Sequence, residues 1–330
     1  MIGSQKFHIQ LGLPIYAVVL VLVTVTSILS PAFLTLRNLC NVADRIAPLA
    51  ITALAQTVCI ISGGIDLSLG ATVSLATVIL SFTGSNQPLS LAVGLLLCLL
   101  MVVTVGACNG LGIAYFRLPP LIMSLATSAV LQGISLYFRA VPGGEVNRSL
   151  CQAMGERIWF IPVSFLVTVT LYMTVWLMLS RTKLGRSCYA VGGHPENARK
   201  CGINPGLTRV RAQIITSLIG SMAGIMLAAR VYTGDAVIGM PLGMDSVAAA
   251  IVGGTAITGG IGGPVGTFAG AMLMSMMSNL LNLLNVFVYY QYILRGLILC
   301  GALVFYQLRT AKGVSEPRRI RKTRGEASGV

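Results

Sequence analysis

The stretch Ala53-Leu-Ala-Gln-Thr-Val-Cys-Ile-Ile-Ser-Gly-Gly-Ile-Asp-Leu-Ser-Leu-Gly70 sets a carboxylate, Asp66, and a Gly63-Gly64 break inside sequence otherwise apolar enough to lie in a membrane. Two roles suit that carboxylate. It can accept hydrogen bonds from the hydroxyls of a polar solute, or it can cap the helix that begins at Leu67, where free N–H groups and the positive end of the dipole favour an anion. Gln56 stands about three turns earlier, and an amide in hydrocarbon needs a partner or a cavity. Solute contact and hydrogen bonding between helices fit Gln56 equally. Asn109 in Ala107-Cys-Asn-Gly-Leu-Gly112, Asp245 after Pro241-Leu-Gly-Met244, and Asn279 with Asn282 add further polar groups to apolar surroundings. The last two are three apart, hence on one helical face, where pairing between helices is the alternative to a solute role. Gln56, Asp66, Asn109, Asp245 and Asn279 are therefore the candidates for a substrate pathway. The chain has two histidines, His8 and His194, and eight cysteines that stand in apolar runs or singly in loops, without a CxxC pair. Catalytic residues, metal ligands and a bound cofactor are accordingly not expected.

What must position these groups is a set of membrane helices. Hydrophobic residues are 55% of the 330 and charged residues 10%, and the apolar runs recur along nearly the whole chain, which excludes a soluble fold. The fold class expected is an all-α polytopic membrane protein of about ten segments, some short or broken, in two structurally related halves. The runs are Leu11–Leu29, Ile46–Ser62, Leu67–Phe82, Leu89–Cys108, Pro119–Phe138, Ile161–Leu179, Val210–Ala229, Met244–Ile257, Val265–Leu284 and Phe287–Leu308. Several fall short of the ~20 residues a simple spanning helix needs, and the short ones flank glycine breaks. The first is longer than a signal-peptide core and lacks a small-residue cleavage site, so it reads as a retained span.

The location of the excess positive charge sets the topology. Seven basic residues fall in the loop 181–209 and its edge (Arg181, Lys183, Arg186, Arg199, Lys200, Arg209, Arg211), and seven more follow Leu308 (Arg309, Lys312, Arg318, Arg319, Arg321, Lys322, Arg324). Both segments are expected on the cytoplasmic side. The four runs between them close the parity, and an even total puts the N-terminus inside too. The loop from Arg139 to Phe160 then lies outside, and Arg295, near the outer part of the last span, is expected to snorkel. No aromatic platform accompanies the basic residues, so nucleic acid is not an expected partner. Phospholipid contact suffices for the tail. The domain reading is one transmembrane unit over 1–309, carrying the loop 181–209, and a flexible basic tail over 310–330.

Two patterns point to moving parts. Ile61-Ser-Gly-Gly-Ile-Asp-Leu-Ser-Leu-Gly70 is echoed 196 residues later by Ile257-Thr-Gly-Gly-Ile-Gly-Gly-Pro-Val-Gly266, so Gly63, Gly64 and Gly70 correspond to Gly259, Gly260 and Gly266. Paired interrupted segments are the sequence pointer to a transport site between repeats. In Gly192-Gly-His-Pro-Glu-Asn-Ala-Arg-Lys-Cys-Gly202, Pro195 suits a first helical position, Glu196 the first turn, Arg199 and Lys200 the last, and Gly202 the position just past the end. A two-turn helix is marginal alone in water, so this one is expected to dock on its own spans or on a partner.

Taken together, Gln56-Thr…Ser62-Gly-Gly-Ile-Asp-Leu-Ser-Leu-Gly70, Asn109-Gly…Leu118-Pro-Pro-Leu121, Thr182-Lys-Leu-Gly-Arg…Ala190-Val-Gly-Gly-His-Pro-Glu-Asn-Ala-Arg-Lys-Cys-Gly-Ile203 and Asp245…Ala250-Ile-Val-Gly-Gly-Thr-Ala-Ile-Thr-Gly-Gly260 resemble the ribose/xylose/arabinose-type permease subunits of bacterial ABC sugar importers. The resemblance covers about residues 38–305. It implies a multi-pass protein of the bacterial inner membrane that pairs with a second permease copy, the same or different. It also implies an ATPase subunit bound through the cytoplasmic loop and a monosaccharide received from a periplasmic binding protein. The helix from Pro195 then looks like the coupling helix, with Gly193, His194, Pro195, Glu196, Arg199 and Gly202 as its contact residues. The chain holds no G-x-x-x-x-G-K-[ST] loop, so ATP and Mg are expected on the partner ATPase. Two departures concern the cargo: Gly243 stands where the family often carries a Glu, and Ile261 where it carries a basic residue. A different small polar solute, such as a nucleoside or a signalling sugar derivative, is the alternative cargo. An ion-coupled carrier would have to rely on Asp66 and Asp245 alone.

Overall fold

The computed structural model describes residues 2–29, 33–84 and 87–287, with 289–291, 293, 294, 296, 297 and 301 beyond them. The tail 310–330, Arg295 and most of the run Phe287–Leu308 lie outside the described residues. The described residues are mostly helical. In order come α1 (Ile2–Leu29), α2 (Leu36–Ile61), α3 (Leu69–Leu80), α4 (Pro88–Ala114), α5 (Pro120–Phe138) and α6 (Arg148–Gly155). A two-residue hairpin follows, β1 (Arg157–Ile158) pairing antiparallel with β2 (Ile161–Pro162). Then come α7 (Val163–Arg181), α8 (Lys183–Gly193), α9 (Pro195–Lys200), α10 (Pro205–Val231), α11 (Met240–Val252) and α12 (Pro264–Leu283). Among these, α2, α4, α5, α7 and α10 are long and apolar enough to cross a membrane. The protein is an all-α membrane protein.

Burial sorts the helices by neighbour. Every residue of α2 from Ile46 to Ile61 is buried, as expected of a helix apolar all round and enclosed by others. It packs against α7, α10, α11 and α12. By contrast, α4 and α5 present Leu96, Leu97, Leu100, Ile122 and Val130 outward, an apolar surface too broad to face water. Aromatic hydroxyls fasten the ring around α2: Tyr172 of α7 donates to the Ala50 carbonyl (2.8 Å) and Tyr16 of α1 to that of Val265 (2.8 Å).

The bundle has two distinct ends. At one, residues 143–146 run between the C-terminal ends of α3 and α10, with Gly143 and Gly234 paired antiparallel, Glu145 N–H bonded to the Ser81 carbonyl, and Val146 N–H bonded to that of Tyr232. Arg139 joins them there, its Nε donating to Ser81 Oγ at 3.1 Å and its guanidinium lying 4.4 Å from the Phe82 ring centre. This is called the hairpin end. At the other, α2 breaks before α3 and α11 breaks before α12, and α8 meets both; this is the glycine end.

The structure corrects several boundaries. The first helix starts at Ile2 rather than Leu11, and α10 starts at Pro205 rather than Val210, because Asn204 caps it by accepting from Leu207 N–H at 3.1 Å. The helix expected from Leu67 begins at Leu69. The loop 181–209 holds two short helices, not one, and the stretch 139–160 contains α6 and the start of the hairpin. At 12 and 13 residues, α3 and α11 extend only about 18–20 Å, less than the ~30 Å hydrocarbon core. Each must be completed by irregular backbone, which a membrane tolerates only inside protein.

Candidate functional site

The break between α2 and α3 is where the polar candidates of the first half converge. Asp66, Gln56 and Asn109 are all fully buried. One carboxylate oxygen of Asp66 accepts from Ser68 N–H (2.8 Å) and Ser68 Oγ (2.5 Å), and the other accepts from Gln213 Nε2 of α10 (3.2 Å). Asn109 Nδ2 of α4 donates to Ser68 Oγ (3.0 Å), and Thr127 Oγ1 of α5 donates to Asn109 Oδ1 (2.6 Å). Gln213 Oε1 accepts from the Cys59 thiol (3.0 Å). The Gln56 amide, oriented by its partners, donates to the Asp66 carbonyl (2.9 Å) and accepts from the Asp66 N–H (3.2 Å). Four helices are thereby tied to one turn. Both carboxylate oxygens are occupied by protein donors, which holds the turn without a solute.

The expected cap is thus displaced. Asp66 does not cap a helix starting at Leu67; it bridges to Ser68, itself the N-cap of α3, two residues further on. Gln213 and Ser68, essential to this network, were not among the sequence candidates. Ser and Gln in a polar-poor span were the only available signal.

The second break has no carboxylate and is shaped by glycine. Gly254, Gly259, Gly260 and Gly262 all have φ between +72° and +138°, a region costly for a residue with a Cβ. Gly63 (φ +88°) and Gly259 (φ +84°), equivalent in the sequence echo, share a positive φ. The two breaks touch: Gly260 N–H donates to the Ile61 carbonyl at 3.0 Å, and the Thr57 and Thr267 hydroxyls lie 2.6 Å apart. Gly70 and Gly266 allow close packing around them. A Cβ on Gly70 would stand 2.8 Å from the Met240 carbonyl oxygen, and one on Gly266 would stand 2.0 Å from that of Gly253. Gly64 has more room, its nearest neighbour being Cys59 Sγ.

Into this junction α8 inserts its C-terminal end. A Cβ on Gly192 would lie 1.8 Å from the Ile61 carbonyl oxygen and 2.8 Å from Gly260 N, so backbone meets backbone there. Tyr189, one turn earlier, donates its hydroxyl to the Gly262 carbonyl (2.8 Å). Burial, and then the neighbouring Cys188, push that hydroxyl up to about 12, which keeps it a donor. Next to this wedge, α9 runs from Pro195 to Lys200 and ends with Gly202 at φ +79°, the Ile203 N–H returning to the Ala198 carbonyl (3.0 Å). Of its six residues only Ala198 is buried; Pro195, Glu196 and Arg199 face outward, as do Gly193 and His194 before them and Gly202 after. A cavity of about 860 Å³ opens beside it, reaching Gly63 and lined by Arg117, Arg199 and Arg209.

Asp245 and Asn279 lie elsewhere. They line a cavity of about 270 Å³ enclosed by α2, α10, α11 and α12, on the hairpin side of the breaks, together with Arg45, Arg230, Ser275 and Asn282. Asn279 Nδ2 points at Asn38 Oδ1 (3.5 Å) and Asn282 Oδ1 accepts from Gln291 Nε2 (2.9 Å). The five pathway candidates therefore divide into a sealed network of three and a cavity holding two. The arginines of that cavity, undistinguished among the basic residues of the sequence, were missed.

A family profile described as branched-chain amino acid transport system / permease component matches residues 38–303. The ribose import permease protein of Escherichia coli K12 is 32% identical over 293 residues, covering 86% of this chain and 90% of that protein. A probable ABC transporter permease protein of the same organism is 33% identical over 302 residues, 91% of each chain. Its galactose/methyl galactoside import permease protein is 30% identical over 320 residues, 90% of this chain and 94% of that one. No solved structure matches the chain.

Proposed function

The chain belongs to the branched-chain amino acid transport system / permease component family, and we propose that it is the membrane subunit of an ATP-binding-cassette importer that admits a monosaccharide-sized cargo. Relatives of matching length are import permeases for ribose and for galactose or methyl galactoside, which supports a pentose or hexose. In this reading the chain is a multi-pass protein of a bacterial inner membrane with ten spans and both termini cytoplasmic. The glycine end, with α8 and α9, faces the cytoplasm, and the hairpin end faces the periplasm, where a sugar-binding protein delivers the cargo. A second permease copy completes the pathway. ATP and Mg are held by a separate ATPase subunit.

One observation carries the mechanism: the Gly192 backbone is wedged between the two breaks while the adjacent α9 is exposed for a partner. Closure of the ATPase pair would push α9. Because α8 has no free space against Ile61 and Gly260, it would pass that displacement to both breaks at once rather than absorb it. The glycine-rich break between α11 and α12 is the hinge, at which short α11 tilts against its continuation. The sealed Asp66 network keeps the α2–α3 turn rigid while this happens, and the cavity holding Asp245 and Asn279 is the compartment whose exposure changes sides.

The test is the double substitution Glu196→Lys with Arg199→Glu, both exposed and outside the packed junction. ATP hydrolysis and membrane insertion are expected to persist while uptake is lost. Normal uptake in the double variant would overturn the assignment of α9 as the coupling element.

A further inference from the structure

The tip of the β1–β2 hairpin carries four exposed apolar side chains. Ile158 is 57% exposed, Trp159 90%, Phe160 60% and Ile161 46%. Arg157 stands opposite Pro162 and Ile158 opposite Ile161, so the loop proper is Trp159-Phe160. Successive strand residues point to opposite faces, and exposure of all four leaves both faces of the tip uncovered. A two-residue hairpin loop favours asparagine or glycine, which enter positive φ at little cost. This one places a tryptophan there, at φ +61°. A bulky residue held in a strained turn, its ring turned away from its own protein, is a local rule that sequences break at functional positions.

The depth of the tip follows from the helix it leads into. α7 begins at Val163, directly after the hairpin, and its 19 residues extend about 28 Å, close to the ~30 Å hydrocarbon core. Its outward side, with Val169, Met173 and Leu177, is apolar and exposed. Thr170 and Thr174, also exposed, donate to the carbonyls of Leu166 (2.9 Å) and Thr170 (2.8 Å), so their hydroxyls need no water. At its far end α7 closes on Arg181. A helix of that length crosses the hydrocarbon with little to spare, which sets residues 158–161 at the level where headgroups and acyl chains meet. Before them, Arg148, Ser149, Gln152, Glu156 and Arg157 are exposed and polar. The apolar surface thus begins at Ile158 and runs on into the lipid-facing side of α7. The backbone beneath it is held in place: the Cys40 thiol of α2 donates to the Phe160 carbonyl (2.9 Å), and the Ser164 hydroxyl to the Asp44 carboxylate (2.5 Å).

We propose that the hairpin tip is a membrane anchor, with Trp159 and Phe160 inserted among the lipids of the leaflet at the hairpin end. An indole ring, apolar in body with one N–H donor, is best accommodated at that boundary. Arg157, at the edge of the apolar patch, meets lipid phosphates. Because β2 touches both α2 and α7, the anchor fixes the depth of their ends while the glycine end moves. The inference rests on the membrane class of the chain and not on its cargo; in the orientation proposed above, the leaflet is the outer one.

The chain has two tryptophans, Trp159 and Trp176, so Trp176→Phe leaves the anchor as the sole indole reporter. The full-length variant is reconstituted in phosphatidylethanolamine–phosphatidylglycerol vesicles carrying lipids brominated either near the top of the acyl chains or near their ends. Trp159 emission is expected to be blue-shifted from that of indole in water, to lose most of its intensity to the shallow bromines and less to the deep ones, and to resist aqueous iodide. Ile158→Ser with Phe160→Ser should move the emission to the red and raise iodide quenching several-fold, with the melting temperature in detergent nearly unchanged. If Trp176→Phe does not assemble, the difference between the spectra of the parent and of Trp159→Phe gives the same reading. Strong iodide quenching without bromine quenching would put the tip in water. A blue-shifted emission that neither quencher reaches would put it against protein, a second copy of this chain included. Either result overturns the anchor, as does shielding that appears only when a sugar-binding protein is added. None of these readings depends on which solute is transported, so ATP-driven uptake by the complete system tests the importer reading separately.

Discussion

Replacing Gly192 by alanine tests the wedge at the centre of the molecule, and Gly193→Ala, one residue on, is its control. The new methyl at position 192 would fall 1.8 Å from the Ile61 carbonyl oxygen. Carbon and oxygen approach no closer than about 3.3 Å, so α8 must retreat by about 1.5 Å. A retreat of that size carries the Tyr189–Gly262 hydrogen bond from 2.8 Å to beyond bonding distance. Overpacking at about 1–3 kcal/mol and one lost hydrogen bond at about 0.5–1.5 kcal/mol together come to about 1.5–4.5 kcal/mol of destabilisation. At Gly193 the nearest atom to an added Cβ is 4.0 Å away, so alanine fits, and it gains up to about 1 kcal/mol of helix propensity. The assay has two readouts on the assembled transporter, the melting temperature and the number of cargo molecules taken up per ATP hydrolysed. Gly192→Ala should melt lower and hydrolyse ATP with little uptake, because the push on α9 no longer reaches the breaks. Gly193→Ala should melt no lower than the parent and take up as much cargo per ATP. If the two variants behave alike, the junction is not the route by which α8 acts on the breaks.

Other outcomes follow from the same contacts. Asp66→Ala leaves three buried donors, Ser68 N–H, Ser68 Oγ and Gln213 Nε2, without their acceptor, at about 1–3 kcal/mol each. Asp66→Asn keeps the two bonds to Ser68 and loses one, so it should retain transport where alanine abolishes it; equal, severe loss in both would show that the negative charge itself is required. For Tyr189, a hydroxyl that ionises near 10 when unfolded and near 12 when folded stabilises the fold fully below pH 10 and ceases to do so as pH rises through about 12. Alkaline melting curves of Tyr189→Phe should therefore lose that step, and an unchanged profile would count against the buried bond to Gly262. Cys201 is exposed at the end of α9, whereas Cys188 is buried in α8 and its thiol is pushed up to about 11 by that burial. A membrane-impermeant maleimide should label Cys201 in inside-out vesicles and not in right-side-out ones, with protection when the ATPase is bound. Labelling from the outer side would reverse the proposed orientation.

The membrane class, the two glycine breaks and the helix from Pro195 to Lys200 were legible in the order of residues alone. Each depends on local physics: hydropathy over a window, proline at a first turn, glycine where φ turns positive. The family resemblance was legible for the same reason, since it is carried by contiguous motifs such as Gly63-Gly-Ile-Asp-Leu-Ser-Leu-Gly70. Which polar groups share a compartment was not legible, because that depends on contacts between residues far apart in sequence. Gln213 reaches Asp66 across 147 positions, which turns a residue that reads as a solute ligand into the centre of a closed network. Gly192 looks like an ordinary helix-end glycine until Ile61 and Gly260 are placed against it. Arg45 and Arg230, 185 positions apart by their numbers, become one charged wall only when α2 and α10 pack together. Local propensity decided where the chain bends; tertiary packing decided which bends meet, and which distant groups satisfy the buried charge of Asp66.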